Sequence, residues 1–386
     1  MTVQAKLEIQ NSTSETVLIT GNQAIAHAVV LARPKVIPAY PITPQTVIVE
    51  TISQFVEEGK LDAEFVPVES EHSAMAAAIG SSLAGVRTFT ATSSHGLLYM
   101  GELVFWAGMT RIPVVLANVN RSLNPWNIWP DHQDSMAFRD AGWIQFYVKN
   151  NQEALDTVLL AFRLAEHHKI WMPVMVCLDG FVLSHTSSLV QIPKQEIIDD
   201  FLGEFKPLAM LDNKAPFAHG SLTNEIGIVE LRESLMEGMK NAHSLIPKIT
   251  KEYHETIGRH YGDYFEITGD IEDAKVAIIS MGTLGEETQM AIRYLEEKGI
   301  KNCVGMRLRT FRPFPKEEIV KTLESVEKIL IIDRSVSFGN EGPVSIEVKA
   351  ALFDNGLTPN FYPLIKGLGG TPVNYKEIAE EIIKIL

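Results

Sequence analysis

The chain has 386 residues, of which 46% are hydrophobic, 21% charged and 8% aromatic; this excludes disordered, collagen-like and coiled-coil classes and, at roughly 150 residues per domain, suits two domains. Lys and Arg number 34 against 48 Asp and Glu, a formal net charge of −14, so bulk charge does not hold the chain to nucleic acid, and it suits a soluble enzyme or a surface that docks basic partners. Cys177 and Cys303 are its 2 cysteines, too few for a disulfide framework, an iron–sulfur cluster or an all-thiolate zinc site.

The opening residues, MTVQAKLEIQNSTSE, are polar and mixed in charge, which is not a signal-peptide pattern. The most apolar stretch, residues 96–109, is interrupted by Glu102 and falls short of the ~20 residues that cross a bilayer. The chain reads as cytoplasmic, without membrane contact. Strands are predicted over residues 35–40, 64–68, 88–92, 113–119 and 173–178. Between them, Ile48, Val49, Ile52, Phe55 and Val56 recur at helical spacing with Gly59 at the C-cap position. Residues 70–84 are rich in Ala, Ser and Gly, as in a helix packed closely on a neighbour; further helices are predicted over 97–109 and 153–167. This alternation predicts a largely parallel sheet with helices on both faces. Around Gln191 the rhythm stops. Residues 207–222 read as a Pro- and Gly-dotted loop, Ile228, Leu231, Leu235 and Met239 as an amphipathic helix, and residues 246–264 as a polar helical connector. From Lys275, strands at 276–280, 302–308, 328–333 and 361–364 alternate with helices at 286–298, 319–326 and 344–353. The expectation is a first domain over 1–260 and a smaller α/β domain over 261–386.

In an open parallel sheet, ligands bind at the carboxyl ends of the strands, where strand order reverses. The loops leaving the first four strands are YPITPQT (40–46), ESEH (69–72), SSHG (93–96) and NRSLNPWNIWPDHQD (120–134). Together they offer a hydroxyl, a carboxylate, a small-residue turn and an arginine. Thr43, between Pro41 and Pro44, is either a hydroxyl held rigidly for a ligand or part of a turn that caps the next helix. Glu71 opens a helix, where the positive dipole end favours an anion; it is either a site carboxylate or a stabiliser of that terminus. Ser93, Ser94 and Gly96 either present N–H groups to a ligand or simply form a tight turn, and His95 is an acid–base candidate or a structural histidine. Arg121 can take a carboxylate bidentately, or pair with Asp131 or Asp134. His132, in DHQD, suits a loop tie better than a metal site, and Trp126, Trp129 and Trp143 suit loop packing or a subunit interface. Farther on, SMGTLGEE supplies Gly282 and Gly285 but neither the third glycine nor the later acid of a dinucleotide fingerprint, which disfavours NAD. Arg307, Arg309 and Arg312 in RLRTFRPFP (307–315) grip an anion or, the favoured reading, pin one domain to the other.

Taken together, YPITPQT, SEHSAMAAAIGSSLAG, TATSSHGLLYMGE, the 121–134 loop and RLRTFRPFP resemble the α subunits of 2-oxoacid:ferredoxin oxidoreductases, most of all the pyruvate-acting members. The likeness runs in order from about residue 15 to the C-terminus. It implies an α/β fold: a parallel-sheet domain of the type that binds the pyrimidine of thiamin diphosphate, followed by a transketolase C-terminal-like domain. It also implies that Glu71 hydrogen-bonds the pyrimidine N1′, that Ser94, His95 and Gly96 line the cofactor, that Thr43 touches substrate and that Arg121 pairs with the 2-oxoacid carboxylate. The implied reaction is reversible oxidative decarboxylation of pyruvate, with coenzyme A taking the acyl group and electrons passing through [4Fe-4S] clusters to ferredoxin. In the family a Gly-Asp-Gly motif anchors diphosphate and Mg2+. This chain has only Leu178-Asp179-Gly180 and Thr268-Gly269-Asp270, so the resemblance places diphosphate, Mg2+ and clusters in partner β, γ and δ subunits, with the active site at the α/β interface. Thr43 stands where oxalate-acting relatives carry arginine. Pyruvate is the favoured substrate; a 2-oxoisovalerate-type relative and a non-catalytic scaffold subunit are the alternatives.

Overall fold

The computed structural model describes residues 14–216, 218–220 and 222–386, so the polar opening segment lies, up to residue 13, outside the described residues. The chain enters through β1 (Ser14–Thr20) into α1 (Gly21–Ala32), whose start is fixed by a capping box between Thr20 and Gln23, each side chain satisfying the other's free N–H. There follow β2 (Val36–Ala39), α2 (Thr46–Glu57), β3 (Glu64–Pro67), α3 (Glu71–Leu83), β4 (Phe89–Thr92), α4 (Ser94–Tyr99), α5 (Gly101–Met109), β5 (Val115–Asn120) and α6 (Gln133–Met136). Then come β6 (Ile144–Tyr147), α7 (Asn151–Ala165), β7 (Val174–Asp179), β8 (Ser187–Pro193) and α8 (Gln195–Leu202). The helix expected over 97–109 begins earlier and is two helices that meet at Met100. Next comes α9 (Glu225–Ile257), a single helix of 33 residues with Pro247 inside it. The amphipathic helix and the polar connector read from the sequence are thus one element up to Ile257. The chain closes with β9 (Phe265–Thr268), β10 (Val276–Met281), α10 (Thr283–Glu297), β11 (Cys303–Leu308), β12 (Thr310–Arg312), α11 (Lys316–Thr322), β13 (Lys328–Asp333), α12 (Pro343–Phe353), β14 (Asn360–Ile365) and α13 (Tyr375–Ile385).

The first sheet runs β12-β6-β7-β5-β4, parallel except for β12. The parallel pair β2–β3 continues it through a Val36–Thr88 bridge and a hydrogen bond from the Thr90 hydroxyl to Pro38 O at 2.8 Å. Every residue of β5 and β7 is buried, as parallel strands covered on both faces must be. The connection leaving β2 goes to β3 on one side, whereas that leaving β4 goes to β5 on the other. Strand order therefore reverses between β2 and β4, and a crevice opens there. The second sheet runs β14-β13-β10-β11-β9, parallel except for β9, and β1 and β8 form a separate antiparallel ribbon. Among the described residues, no helix is long and apolar enough to cross a membrane.

The two sheets are bolted together by RLRTFRPFP. Its β12 joins the edge of the first sheet beside β6. Arg307 and Arg309, fully buried, both donate to Glu153 of α7 at 3.0 Å, and Arg307 also donates to Glu266 at 2.7 Å. These arginines pin the two halves rather than grip an anion. One apolar core runs from Ala74, Leu97 and Trp143 under the first sheet to Met281, Met306, Leu308 and Val344 of the second.

Candidate active site

Ser70 has extended backbone, and its Oγ accepts the Ser73 N–H at 3.2 Å. That cap starts α3 at Glu71 and directs this carboxylate to the crevice edge. Glu71 is 8% exposed, and among the described residues nothing donates a hydrogen bond to its carboxylate. Gly96 faces it: a Cβ there would lie 2.7 Å from Glu71 Oε1 and 2.5 Å from Thr92 Oγ1. Only a residue without a side chain lets the turn pack this closely on Glu71 and Thr92,. The Thr92 and Ser93 hydroxyls beside it are buried and without hydrogen-bond partners among the described residues.

Arg121 leaves the end of β5 and reaches across the crevice. Its Nη1 donates to Thr43 O at 2.6 Å, its Nη2 lies 3.3 Å from His95 Nδ1, and its buried Nε has no partner among the described residues. Burial lowers its pKa from the ordinary arginine value, with the charges of Asp134 and Glu71 acting in the opposite direction. The guanidinium does not bond to Asp131 or Asp134. Asp131 instead accepts the N–H groups of Gln133 and Gly369, and Asp134 takes the Arg121 main-chain N–H at 3.2 Å. Thr43 is exposed at the crevice mouth. It does not cap α2, which starts without any side-chain cap.

The SSHG turn behaves differently from one sequence expectation. Ser94 has φ +51°, which turns its N–H inward to Asp134 Oδ2 at 3.0 Å, while its Oγ donates to Ser122 O at 2.8 Å. The Gly96 N–H bonds Ser93 O at 2.9 Å. Neither N–H is presented to a ligand; Ser94 holds the turn, and Gly96 permits its close approach to Glu71. His95 is half-buried, bonded through Nε2 to Asn124 Oδ1 at 2.8 Å and tilted by 31° against Trp126 with ring centres 4.3 Å apart. Trp143 is buried and donates to Val104 O at 2.7 Å.

His132 ties its loop to the sheets, as the sequence suggested, but through a distant partner. Its Nε2 meets Asp179 Oδ1 at 2.8 Å, and Asp179 Oδ2 accepts from Arg334 at 2.9 Å and from the Thr283 N–H at 3.0 Å. Burial pushes the Asp179 carboxyl up, yet the charges of Arg334 and His132 outweigh it and hold the group well below the usual carboxylate range. The Asp179-Gly180 string is thus consumed by the fold. Sequence reasoning missed Asn118, Asn120 and the central place of Asp134. Two asparagines in the otherwise apolar strand VLANVN were the available signal, because buried amides require buried partners.

A parallel sheet with a polar crevice at its strand-order reversal, backed by a second α/β sheet, is the frame of a cofactor-binding enzyme chain. Residues 27–251 match the family model described as pyruvate flavodoxin/ferredoxin oxidoreductase, thiamine diphosphate-binding, and residues 274–378 match core domain II of pyruvate:ferredoxin oxidoreductase. The chain is 45% identical over 366 residues to the pyruvate synthase subunit PorA of Methanothermobacter thermautotrophicus, covering 94% of each. It is 44% identical over 375 residues to the ketoisovalerate oxidoreductase subunit VorA of Pyrococcus horikoshii, covering 96% of this chain and 94% of that one. In fold it is similar to a 2-oxoglutarate:ferredoxin oxidoreductase from Magnetococcus marinus, with TM-score 0.71 at 21% identity; the match covers 96% of this chain and spans 65% of that one. A split-gene transketolase is more distant, with TM-score 0.55 at 13% identity, covering 95% and 97%. The chain belongs to the 2-oxoacid:ferredoxin oxidoreductase family, whose members are thiamin-diphosphate-binding oxidoreductases.

Proposed function

We propose that this chain is the catalytic α subunit of a coenzyme A-acylating enzyme that converts pyruvate reversibly to acetyl-CoA and CO2 and passes the electrons to ferredoxin. The carrying observation is the meeting of Glu71, Gly96 and Arg121 at one reversal of strand order. A nearly buried carboxylate without a protein donor, held by close packing on a glycine, would suit the hydrogen-bonding edge of an aminopyrimidine ring. When bound, thiamin diphosphate supplies the carbon nucleophile and the electron sink for decarboxylation. Glu71 would hold a shared proton at the ring nitrogen of the bound group, where poor solvation would strengthen the influence of its charge on that ring. Arg121 takes the substrate carboxylate; it stays charged despite burial, and its unpartnered Nε–H is a donor still free to bond. Thr43 contacts substrate at the crevice mouth. His95 steadies Arg121 from the other side and, with Gly96, lines the cofactor, while Ser94 holds the turn behind them.

The chain lacks Gly-Asp-Gly, its Asp179 is engaged internally, and its two cysteines are buried in strands of different sheets. This supports a division of labour in which a β subunit supplies diphosphate and Mg2+ binding, and β, γ and δ subunits carry the [4Fe-4S] clusters of a cytoplasmic complex. Identities of 45% and 44% to pyruvate- and ketoisovalerate-named relatives keep a branched-chain 2-oxoacid as the second reading. Turnover of pyruvate against 2-oxoisovalerate by the purified complex decides between them. Glu71→Gln in that complex is expected to abolish decarboxylation with assembly intact; undiminished turnover would leave the chain a scaffold.

A further inference from the structure

Residues 127–135 form a strap between the second sheet and the crevice. At one end, Asn127 donates to Gly369 O at 3.0 Å, Gly370 N–H to Pro130 O at 2.8 Å and His132 N–H to Arg334 O at 2.9 Å. Gln133 Oε1 accepts the Ser335 hydroxyl at 3.1 Å and the Val336 N–H at 3.0 Å. At the other end stands Asp134, which is fully buried. Its Oδ2 accepts from Ser94 N–H at 3.0 Å, Asn118 Nδ2 at 3.1 Å and Arg121 N–H at 3.2 Å. Its Oδ1 accepts from Asn120 Nδ2 at 2.7 Å and Ser135 N–H at 2.8 Å. One carboxylate therefore gathers the exit of β4, two side chains of β5 and the backbone of Arg121. No cation forms a salt bridge with it among the described residues.

We propose that Asp134 is a positioning residue for Arg121, and that the strap makes the second sheet a determinant of how the 2-oxoacid carboxylate is bound. The inference rests on the reading of Arg121 as the carboxylate anchor. Five N–H donors converge on two oxygens, a set that only a carboxylate satisfies; an amide offers one acceptor and turns its own N–H groups against donors. The bonds to Ser94 and Arg121 fix both walls of the crevice, because Ser94 carries His95, whose ring lies against the Arg121 guanidinium. Slackening them moves the arginine fork, which binds a carboxylate well only in one geometry. The strap carries any shift of residues 334–336 and 369–370 to the same point.

In the assembled holoenzyme, Asp134→Asn is expected to raise KM for the 2-oxoacid about ten-fold or more, with KM for coenzyme A changed by less than about two-fold. Affinity for oxamate, a carboxylate probe that is not turned over, should fall by the same factor in equilibrium titration. Gln133→Ala, which cuts only the second-sheet end, should shift both values in the same direction by about three-fold. Asp156→Asn is the structural comparison. That carboxylate is equally buried and accepts from Tyr253, Arg259 and Tyr261, none of which lines the crevice, so it should lower Tm and leave KM alone. An Asp134→Asn KM within two-fold of wild type, or an equal KM rise in Asp156→Asn, overturns the proposal. If Asp134→Asn does not assemble, an unmoved KM in Gln133→Ala overturns it instead. Arg121→Ala separates the two layers: unchanged oxamate binding there refutes the anchor itself, whereas weakened binding beside normal strap variants refutes only the positioning role.

Discussion

Gly96→Ala adds one methyl group where the structure leaves no room beside Glu71. Its Cβ would lie 2.5 Å from Thr92 Oγ1, 2.7 Å from Glu71 Oε1 and 2.9 Å from Glu71 Cγ. A comfortable contact is about 3.5 Å, so the Glu71 carboxylate must retreat by about 0.8 Å. Overpacking costs about 1–3 kcal/mol, and alanine returns about 1 kcal/mol of helix propensity over glycine within α4. The net loss is about 0–2 kcal/mol, which a chain with this much shared core survives. Catalysis is less tolerant: if Glu71 has the proposed role, a displacement near 1 Å costs about 100-fold. The assay is decarboxylation by the assembled complex, run beside thermal unfolding. The expected outcome is turnover down about 100-fold with Tm lowered by only a few degrees. Turnover within two-fold of wild type would refute the reading of Glu71 as the carboxylate whose exact position the reaction depends on.

Glu153→Gln leaves Arg307 and Arg309 buried without their shared counter-charge and is expected to cost about 3–5 kcal/mol in urea unfolding; a loss below 1 kcal/mol would contradict the pinning role. Asp179→Asn should unfold at lower temperature at neutral pH, with Arg334 stranded. The native carboxyl of Asp179 lies below its unfolded value of about 3.9, so its stabilisation is complete above that pH and is lost as pH falls through the folded value,. Between neutral pH and acid, the stability curve of Asp179→Asn should therefore converge on that of wild type, and parallel curves would contradict the assignment.

The crevice was legible because its signals are local. Pro41 and Pro44 around Thr43, the Ser70 cap before Glu71 and the glycine at 96 each mark the end of a short apolar run, and strand alternation places those ends on one edge. Direction within the SSHG turn was not legible, since it depends on Ser94 adopting φ +51°, a choice made by Asp134 from 40 positions away. The pairing of β12 with β6 and of β1 with β8 joins segments far apart in sequence, and no local pattern encodes such partners. Pro247 argues for a break in α9, yet Leu235, Ala242, Ile246, Ile249 and Tyr253 bury one continuous face. Tertiary packing overrides the proline there.

The same long-range features decide what can move. Rotating one sheet against the other would strip β12 from β6, open the core shared by Trp143 and Leu308 and separate Glu153 from both arginines. Breaking that buried ion cluster alone costs about 3–5 kcal/mol, before any apolar surface is exposed. The strap adds the His132–Asp179–Arg334 contacts to the same junction. A small 2-oxoacid cannot repay that from its own binding energy and still be bound usefully. Glu71, Gly96 and Arg121 are therefore held in place before substrate arrives, as preorganised catalysis requires. It follows that the crowding in Gly96→Ala cannot be relieved by a shift of the second sheet, so the lesion should persist at saturating substrate and appear in kcat.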